Sequence, residues 1–255
     1  MVDSAEGYNY SIVKFFMMMA CIYLVLGTGV GVFIASQLAW PDLNFDIPYI
    51  TFGRLRSVHT NTVLYGFAGT VLVATAFYVV QRTSHVRLWS DKLAWFTFWG
   101  WNIYMLGIFI TLPLGLTQGK EYHEAEWPMD ILLAAVWIAL LVNFTMTLAI
   151  RKVSHIYVAN WFYLSLFIMF TYIHVVNSLA IPVGLWKSYS IFAGVQDAMV
   201  QWWWGHNAVG FFLTAGFLGI MYYFVPKQAE RPIYSYRLSI IHFWALVFGY
   251  VWLGA

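Results

Sequence analysis

Charge is what this 255-residue sequence has least of: Asp, Glu, Lys and Arg together make up 9% of it. A soluble domain carries about 25%, so the chain cannot coat a water-facing surface of ordinary size with ionised groups. The net charge is +2 and no basic cluster stands out, which argues against a nucleic-acid interface, since that needs a concentrated positive patch. Cysteine is nearly absent as well. Cys21 is alone, and one thiol excludes a disulfide framework or a thiolate metal site within the chain. The opening stretch "MVDSAEGYNYSIVK" has two acids and no basic segment ahead of its first apolar run. That is not the pattern of a cleaved signal peptide, and the first run is expected to stay as a helix.

Apolar residues fill the space that charge leaves. They make up 62% of the chain and gather into runs of the length that crosses a membrane, about 20 residues for a ~30 Å hydrocarbon core. The expected spans are 12–39, 56–81, 93–117, 129–150, 155–182, 196–225 and 235–255. Short polar loops separate them, with no internal repeat and no linker long enough to divide domains. The fold class predicted is all-α: a polytopic membrane helix bundle of seven spans, with residues 1–255 as a single transmembrane domain.

Basic residues orient the bundle. With a cytoplasmic N-terminus, the inner side holds Lys14, Arg82, Arg87, Lys92, Arg151, Lys152, Lys227, Arg231 and Arg237. The outer side then holds Arg54, Arg56, Lys120 and Lys187. An excess of Lys and Arg marks the cytoplasmic side, so this orientation is expected. The seventh span would run outward and stop at Ala255 without a polar cap, which predicts a fragment of a longer protein.

Histidine inside a membrane needs a reason. His85, His123 and His155 fall in loops or at helix ends, where a solvated or interfacial role is the default, whereas His59, His174, His206 and His242 fall in spans. An intramembrane imidazole can be a hydrogen-bonded structural group, a proton carrier or a metal ligand, haem iron included. Around His59 the stretch "RLRSVHTNTVLYGFAGT" places Thr62, Gly66 and Gly69 or Thr70 at helical spacing. Small residues on one face admit either a neighbouring helix or a flat macrocycle. Arg54 and Arg56, one turn earlier, can serve as interfacial anchors or as partners for carboxylates.

His206 lies in "QWWWGHNAVGFF". Rise along a helix puts it at a depth similar to Tyr250 on the next span, so the two could touch. Tyr236, Ser239 and Tyr250 fall within about a 60° arc of that span, a hydroxyl stripe that suits a proton relay or helix–helix hydrogen bonding.

Several stretches carry a resemblance: "FGRLRSVHTN", "LPLGLTQGKEY", "SHIYVANWF", "WWWGHNAVGFFLTAGFLGIMYYFVPKQ" and "YSYRLSIIHFWAL". Together they resemble the catalytic subunit of the cbb-type cytochrome c oxidases, the C class of haem–copper oxygen reductases, along the whole chain. The resemblance implies a subunit that reduces oxygen to water with electrons from cytochrome c, beside membrane-anchored cytochrome c subunits. It also implies proton pumping across the bacterial cytoplasmic membrane, with low-spin haem b, a high-spin b-type haem, copper and calcium as cofactors. His59 matches an axial ligand of the low-spin haem. His206 matches the first copper-binding histidine, and Tyr250 the tyrosine that this class joins covalently to it. Tyr222, Tyr236 and Ser239 match positions of the proton channel from the cytoplasm. Glu121 resembles a calcium ligand and Arg56 a haem-propionate partner.

The end of the chain departs from the family. Members run from a "WxGx" stretch like "WLGA" into two adjacent histidines, and later helices of a fold of about twelve supply further ligands. Four of the six metal-binding histidines are therefore expected outside this sequence, on the rest of a longer protein or on a second polypeptide. Two alternatives remain beside the oxidase. One is a nitric oxide reductase relative, which uses acidic residues near its metal and lacks the tyrosine, so Tyr250 argues against it. The other is a non-redox, proton-coupled transporter.

Overall fold

The computed structural model describes residues 7–252. The acidic start of the chain lies outside the described residues. So does the close of the "WLGA" stretch, where the seventh span was expected to end.

Helices occupy all seven apolar runs: α1 Tyr10–Ala39, α2 Phe52–Ser84, α3 Asp91–Leu114, α4 Trp127–Ala149, α5 Val158–Asn177, α6 Val195–Gln228 and α7 Tyr236–Tyr250. The first six are long and apolar enough to cross a membrane, while α7 has 15 residues within the described part. The chain is a multi-pass membrane protein.

Local chemistry sets the helix ends. The Asn9 side chain accepts from the Ile12 N–H, Ser90 from Leu93 and Ser235 from Leu238. Each satisfies a backbone donor that the first turn leaves free. Pro128 opens α4, where a missing N–H costs nothing. Gly115, at φ 79°, closes α3 in the left-handed conformation.

One element differs from the sequence reading. The fifth span was expected to reach residue 182, but α5 stops at Asn177 and an antiparallel hairpin follows, β1 Ala180–Gly184 and β2 Lys187–Ser190. Pro182 cannot continue a helix, and the β-branched Ile181 and Val183 beside it favour an extended chain.

Lipid supplies no hydrophobic drive between helices, so dense packing and hydrogen bonds hold the bundle. Aromatic rings fill its centre. Trp101 and Trp137 meet edge to face at 5.1 Å, and Phe170 stands 4.7 Å from both Trp137 and Phe212. Trp101 lies directly on Gly69 and donates its indole N–H to the Tyr65 carbonyl at 3.1 Å. Buried amides tie helix ends to loops: Asn143 bonds Ser90 through both backbone groups, each at 3.0 Å. Such partners are required where water is absent.

Two helices widen locally to i→i+5 bonding, α2 over Thr62–Gly69 and α6 over Ala208–Ala215. Each widened turn begins just after a histidine singled out by the sequence, His59 and His206. Widened turns of this kind concentrate at functional sites.

Candidate functional site

His59 stands near one end of α2, half-buried against α1. Its Nδ1 lies 2.7 Å from the Gly27 carbonyl. A carbonyl can only accept, so Nδ1 carries the proton and Nε2 keeps its lone pair. A Cβ on Gly31 would lie 2.6 Å from His59 Cε1. Gly31 therefore makes the space in which the ring sits.

The small-residue face expected below His59 receives neighbouring helices, one of its two expected uses. Gly66 is filled by the Tyr23 ring, 2.9 Å from where its Cβ would be, and Gly69 by Trp101. Both pack helix against helix. Gly66 meets the same helix α1 that His59 meets, and Gly69 meets α3. Glycines of α1, in "LGTGVGVF", line His59 instead. Their repeated spacing was the signal that the sequence reading passed over.

His206 and Tyr250 do come together. Their ring centroids are 4.7 Å apart at 63°, and His206 Nε2 donates to the Tyr250 carbonyl at 2.9 Å. The same carbonyl argument leaves Nδ1 of His206 with its lone pair. Gly210 admits the phenol ring, for a Cβ there would lie 2.7 Å from Tyr250 Cε1. The Trp203 indole and the Asn207 amide donate to the Val251 carbonyl at 2.9 and 3.3 Å. Three N–H donors of α6 thus reach the Tyr250 and Val251 carbonyls.

The hydroxyl stripe of α7 is only partly joined. Ser239 is buried and donates to the Tyr236 carbonyl at 2.7 Å, while the Tyr236 hydroxyl turns aside to the Ile156 carbonyl at 2.9 Å. Tyr222 meets His242 instead, hydroxyl to Nδ1 at 2.9 Å. A cavity of about 610 Å³ opens onto Tyr222, Ser239 and His242 among apolar neighbours. His242 is a member of this group that the sequence reading did not assign. From His242 to Tyr250 is about 12 Å at 1.5 Å per residue, with no hydrogen-bonded side chain between them among the described residues.

At the other end of the bundle, Arg56 pairs with Glu121 at 3.0 Å and reaches Glu124 at 4.0 Å. Arg54 has no carboxylate beside it among the described residues. It donates to the Pro113 carbonyl at 2.6 Å and lies against Gly115, so it holds the end of α3. His123 is not solvated either: it is 1% exposed, donates to Ser178 Oγ at 2.8 Å and lies 3.3 Å from Asp130. Burial, helped by His174 and Lys120, holds its imidazole well below the usual value. Burial also raises the Glu124 carboxyl, against the 2.8 Å bond from the Asn61 amide. The sequence hid this group, because a histidine between charged loop residues reads as surface.

The residues fit haem and copper unequally. His59 offers an oriented, unpaired Nε2, and its bond to a carbonyl is what fixes an axial imidazole and raises its basicity. His206 offers a free Nδ1, but nowhere among the described residues do three or more His, Cys, Asp or Glu side chains converge on a point that could hold a metal ion. The described residues thus offer one histidine nitrogen that could take a copper ion, and no set of three converging donors. Calcium takes six to eight oxygens, and Glu121 brings one carboxylate already paired with Arg56.

Known proteins bear on this arrangement. The cbb3-type cytochrome c oxidase subunit CcoN1 of Stutzerimonas stutzeri is 60% identical over 251 residues, covering 98% of this chain and 53% of that protein. A cytochrome c oxidase subunit 1 homolog of Agrobacterium tumefaciens (strain T37) is 55% identical, over 97% of this chain and 46% of the relative. The cytochrome c oxidase subunit 1 of Rhodobacter capsulatus is 53% identical, over 98% and 48%. The chain spans about half the length of these curated relatives. Residues 11–255 also match a family model, which takes in the helices carrying His59 and His206, and the chain belongs to the family of cytochrome c and quinol oxidase polypeptide I.

Proposed function

We propose that this chain forms part of the catalytic subunit of a terminal respiratory oxidase of the cbb type, which reduces oxygen to water with electrons from cytochrome c and couples this to proton pumping. The observation that carries the reading is the Tyr250 ring packed on His206 at 4.7 Å, with Nδ1 of that histidine left free. A structural hydrogen bond alone needs no tyrosine ring there, since the acceptor is a backbone carbonyl.

When bound, haem and copper would supply the electron storage and oxygen chemistry that side chains lack. The chain's own residues prepare for it. His59 would bind the low-spin b haem through Nε2, with Gly27 setting the ring's direction. Arg56 would leave Glu121 for a haem propionate, exchanging one carboxylate for another. His206 would hold copper through Nδ1 while Nε2 faces Tyr250, and the remaining ligands, with those of a high-spin b-type haem, would come from outside the described residues. Tyr250 would give a proton and an electron to oxygen cleavage. Tyr222, His242 and Ser239, on their cavity, would hold protons on the way to it, with Tyr236 at the entrance.

The segregation of nine basic residues to one end against four at the other supports a cytoplasmic N-terminus in the bacterial inner membrane. Membrane-anchored cytochrome c subunits would be the partners that deliver electrons. The Tyr250 phenol favours oxygen over nitric oxide as the substrate, because it supplies the hydrogen that oxygen cleavage uses.

The test is oxygen consumption by the full-length protein with reduced cytochrome c, together with a reduced-minus-oxidised spectrum. Turnover with b-type haem bands is expected. A protein with no haem bands would overturn the oxidase reading in favour of a proton-coupled transporter.

A further inference from the structure

The hairpin that follows α5 turns its polar side toward the protein. Ser188 is buried and donates to the buried Glu126 carboxylate at 2.8 Å, and Ser190 donates to Asp197 at 2.6 Å. Ile181 and its cross-strand partner Tyr189 face outward, and these two, Val183 and Leu185 are each more than half exposed. A hairpin on a water-facing surface has the opposite pattern, with its apolar side inward and its polar side out. The outer face of this one is built for an apolar neighbour.

Depth and continuity identify the neighbour. The 20 residues of α5 rise about 30 Å, the thickness of the hydrocarbon core, so the hairpin begins at the membrane boundary. The Trp127 indole, in the first turn of α4, donates to the Gly184 carbonyl at 2.9 Å and ties the turn of the hairpin to that level. Tryptophans gather at this depth. A cleft of about 230 Å³ joins Pro182 to Ile131 of α4 and Val175 of α5, both exposed on the sides of their spans. The hairpin thus continues the lipid-facing surface of the bundle. Its two open strand edges forbid the hydrocarbon interior, where unpaired backbone groups find no water. Lys187, its ammonium 5.2 Å from the Tyr189 ring, adds a cation that can reach up to headgroups. We propose that residues 180–190 form an in-plane membrane anchor. Ile181, Val183, Leu185 and Tyr189 contact lipid at the boundary of the leaflet where α5 ends, while Ser188 and Ser190 hold Glu126 and Asp197 behind them. The proposal is independent of the oxidase reading.

Collision accessibility of spin labels tests it, in full-length protein reconstituted into phosphatidylcholine nanodiscs. V183C and L185C are labelled singly in a background whose other cysteines are serine, with I138C, exposed at the middle of α4, as the deep reference. Val183 and Leu185 are exposed, so labelling there leaves the packing intact. Relative to the same label free in water, both hairpin labels should gain severalfold in accessibility to oxygen, which concentrates in lipid. They should lose severalfold in accessibility to a water-soluble nickel chelate, and should lie shallower than I138C. Nickel accessibility like that of the free label would make the hairpin water-facing and overturn the anchor. Labels immobilised and shielded from both probes would place the face under another protein surface, which equally overturns it. A depth equal to that of I138C would put the open edges in hydrocarbon and refute the boundary placement.

Discussion

Two glycines of α1 stand two residues apart and should respond oppositely to one methyl group. A Cβ at Gly31 would meet His59 at 2.6 Å from Cε1 and 2.9 Å from Nδ1, while a Cβ at Gly29 would meet nothing within 4 Å. In Gly31→Ala the imidazole must move, because the contact is to the ring itself and not to the end of a flexible chain. The move breaks the 2.7 Å bond to the Gly27 carbonyl, about 0.5–1.5 kcal/mol. Overpacking adds about 1–3 kcal/mol. The expected loss is therefore about 1.5–4.5 kcal/mol, partly offset by the better helix propensity of alanine. Gly29→Ala receives only that propensity gain, up to about 1 kcal/mol. Thermal unfolding of the two purified variants measures the difference, and haem spectra of the same samples read the position of the His59 ring. Equal stability and equal spectra for the two variants would refute the reasoning, since it rests entirely on which glycine faces the histidine.

Four further outcomes are expected. His59→Ala should remove the low-spin b-haem bands from the reduced-minus-oxidised spectrum of the full-length protein, and intact bands would mean another ligand. Tyr250→Phe keeps the ring that Gly210 accommodates, so haem content should hold while turnover falls by orders of magnitude; if the tyrosine serves packing alone, the loss should be about 1 kcal/mol of stability or less with turnover unchanged. Peptide mapping of the wild type should join the peptides carrying His206 and Tyr250, and separate peptides would count against the link. Burial keeps His123 neutral in the fold, so its stabilisation is complete above the unfolded value of about 6.5 and declines as pH falls through it. His123→Gln should flatten that acid limb of the melting temperature, and an unchanged slope between pH 7.5 and 5.5 would assign the limb to other groups.

Runs of apolar residues set the number of the helices, because a segment in hydrocarbon must bond its own backbone and has the helix as its solution. For the same reason caps such as Asn9, Ser90 and Ser235 mark the starts in the sequence itself. Depth along two adjacent spans was enough to bring His206 and Tyr250 together before any coordinates. What the sequence could not carry was rotation. His59 meets Gly27 and Gly31 of another helix, while Gly66 and Gly69 take the rings of Tyr23 and Trp101. The i→i+5 bonding that follows His59 is invisible to a fixed helical period. Nor could loop charges reveal that His123 and Glu124 are buried, since their setting is made by Asn61, Asp130 and Ser178 from three other segments. The residue types and their depths belong to the sequence; which face meets which partner was decided by the packing of helices far apart in the chain.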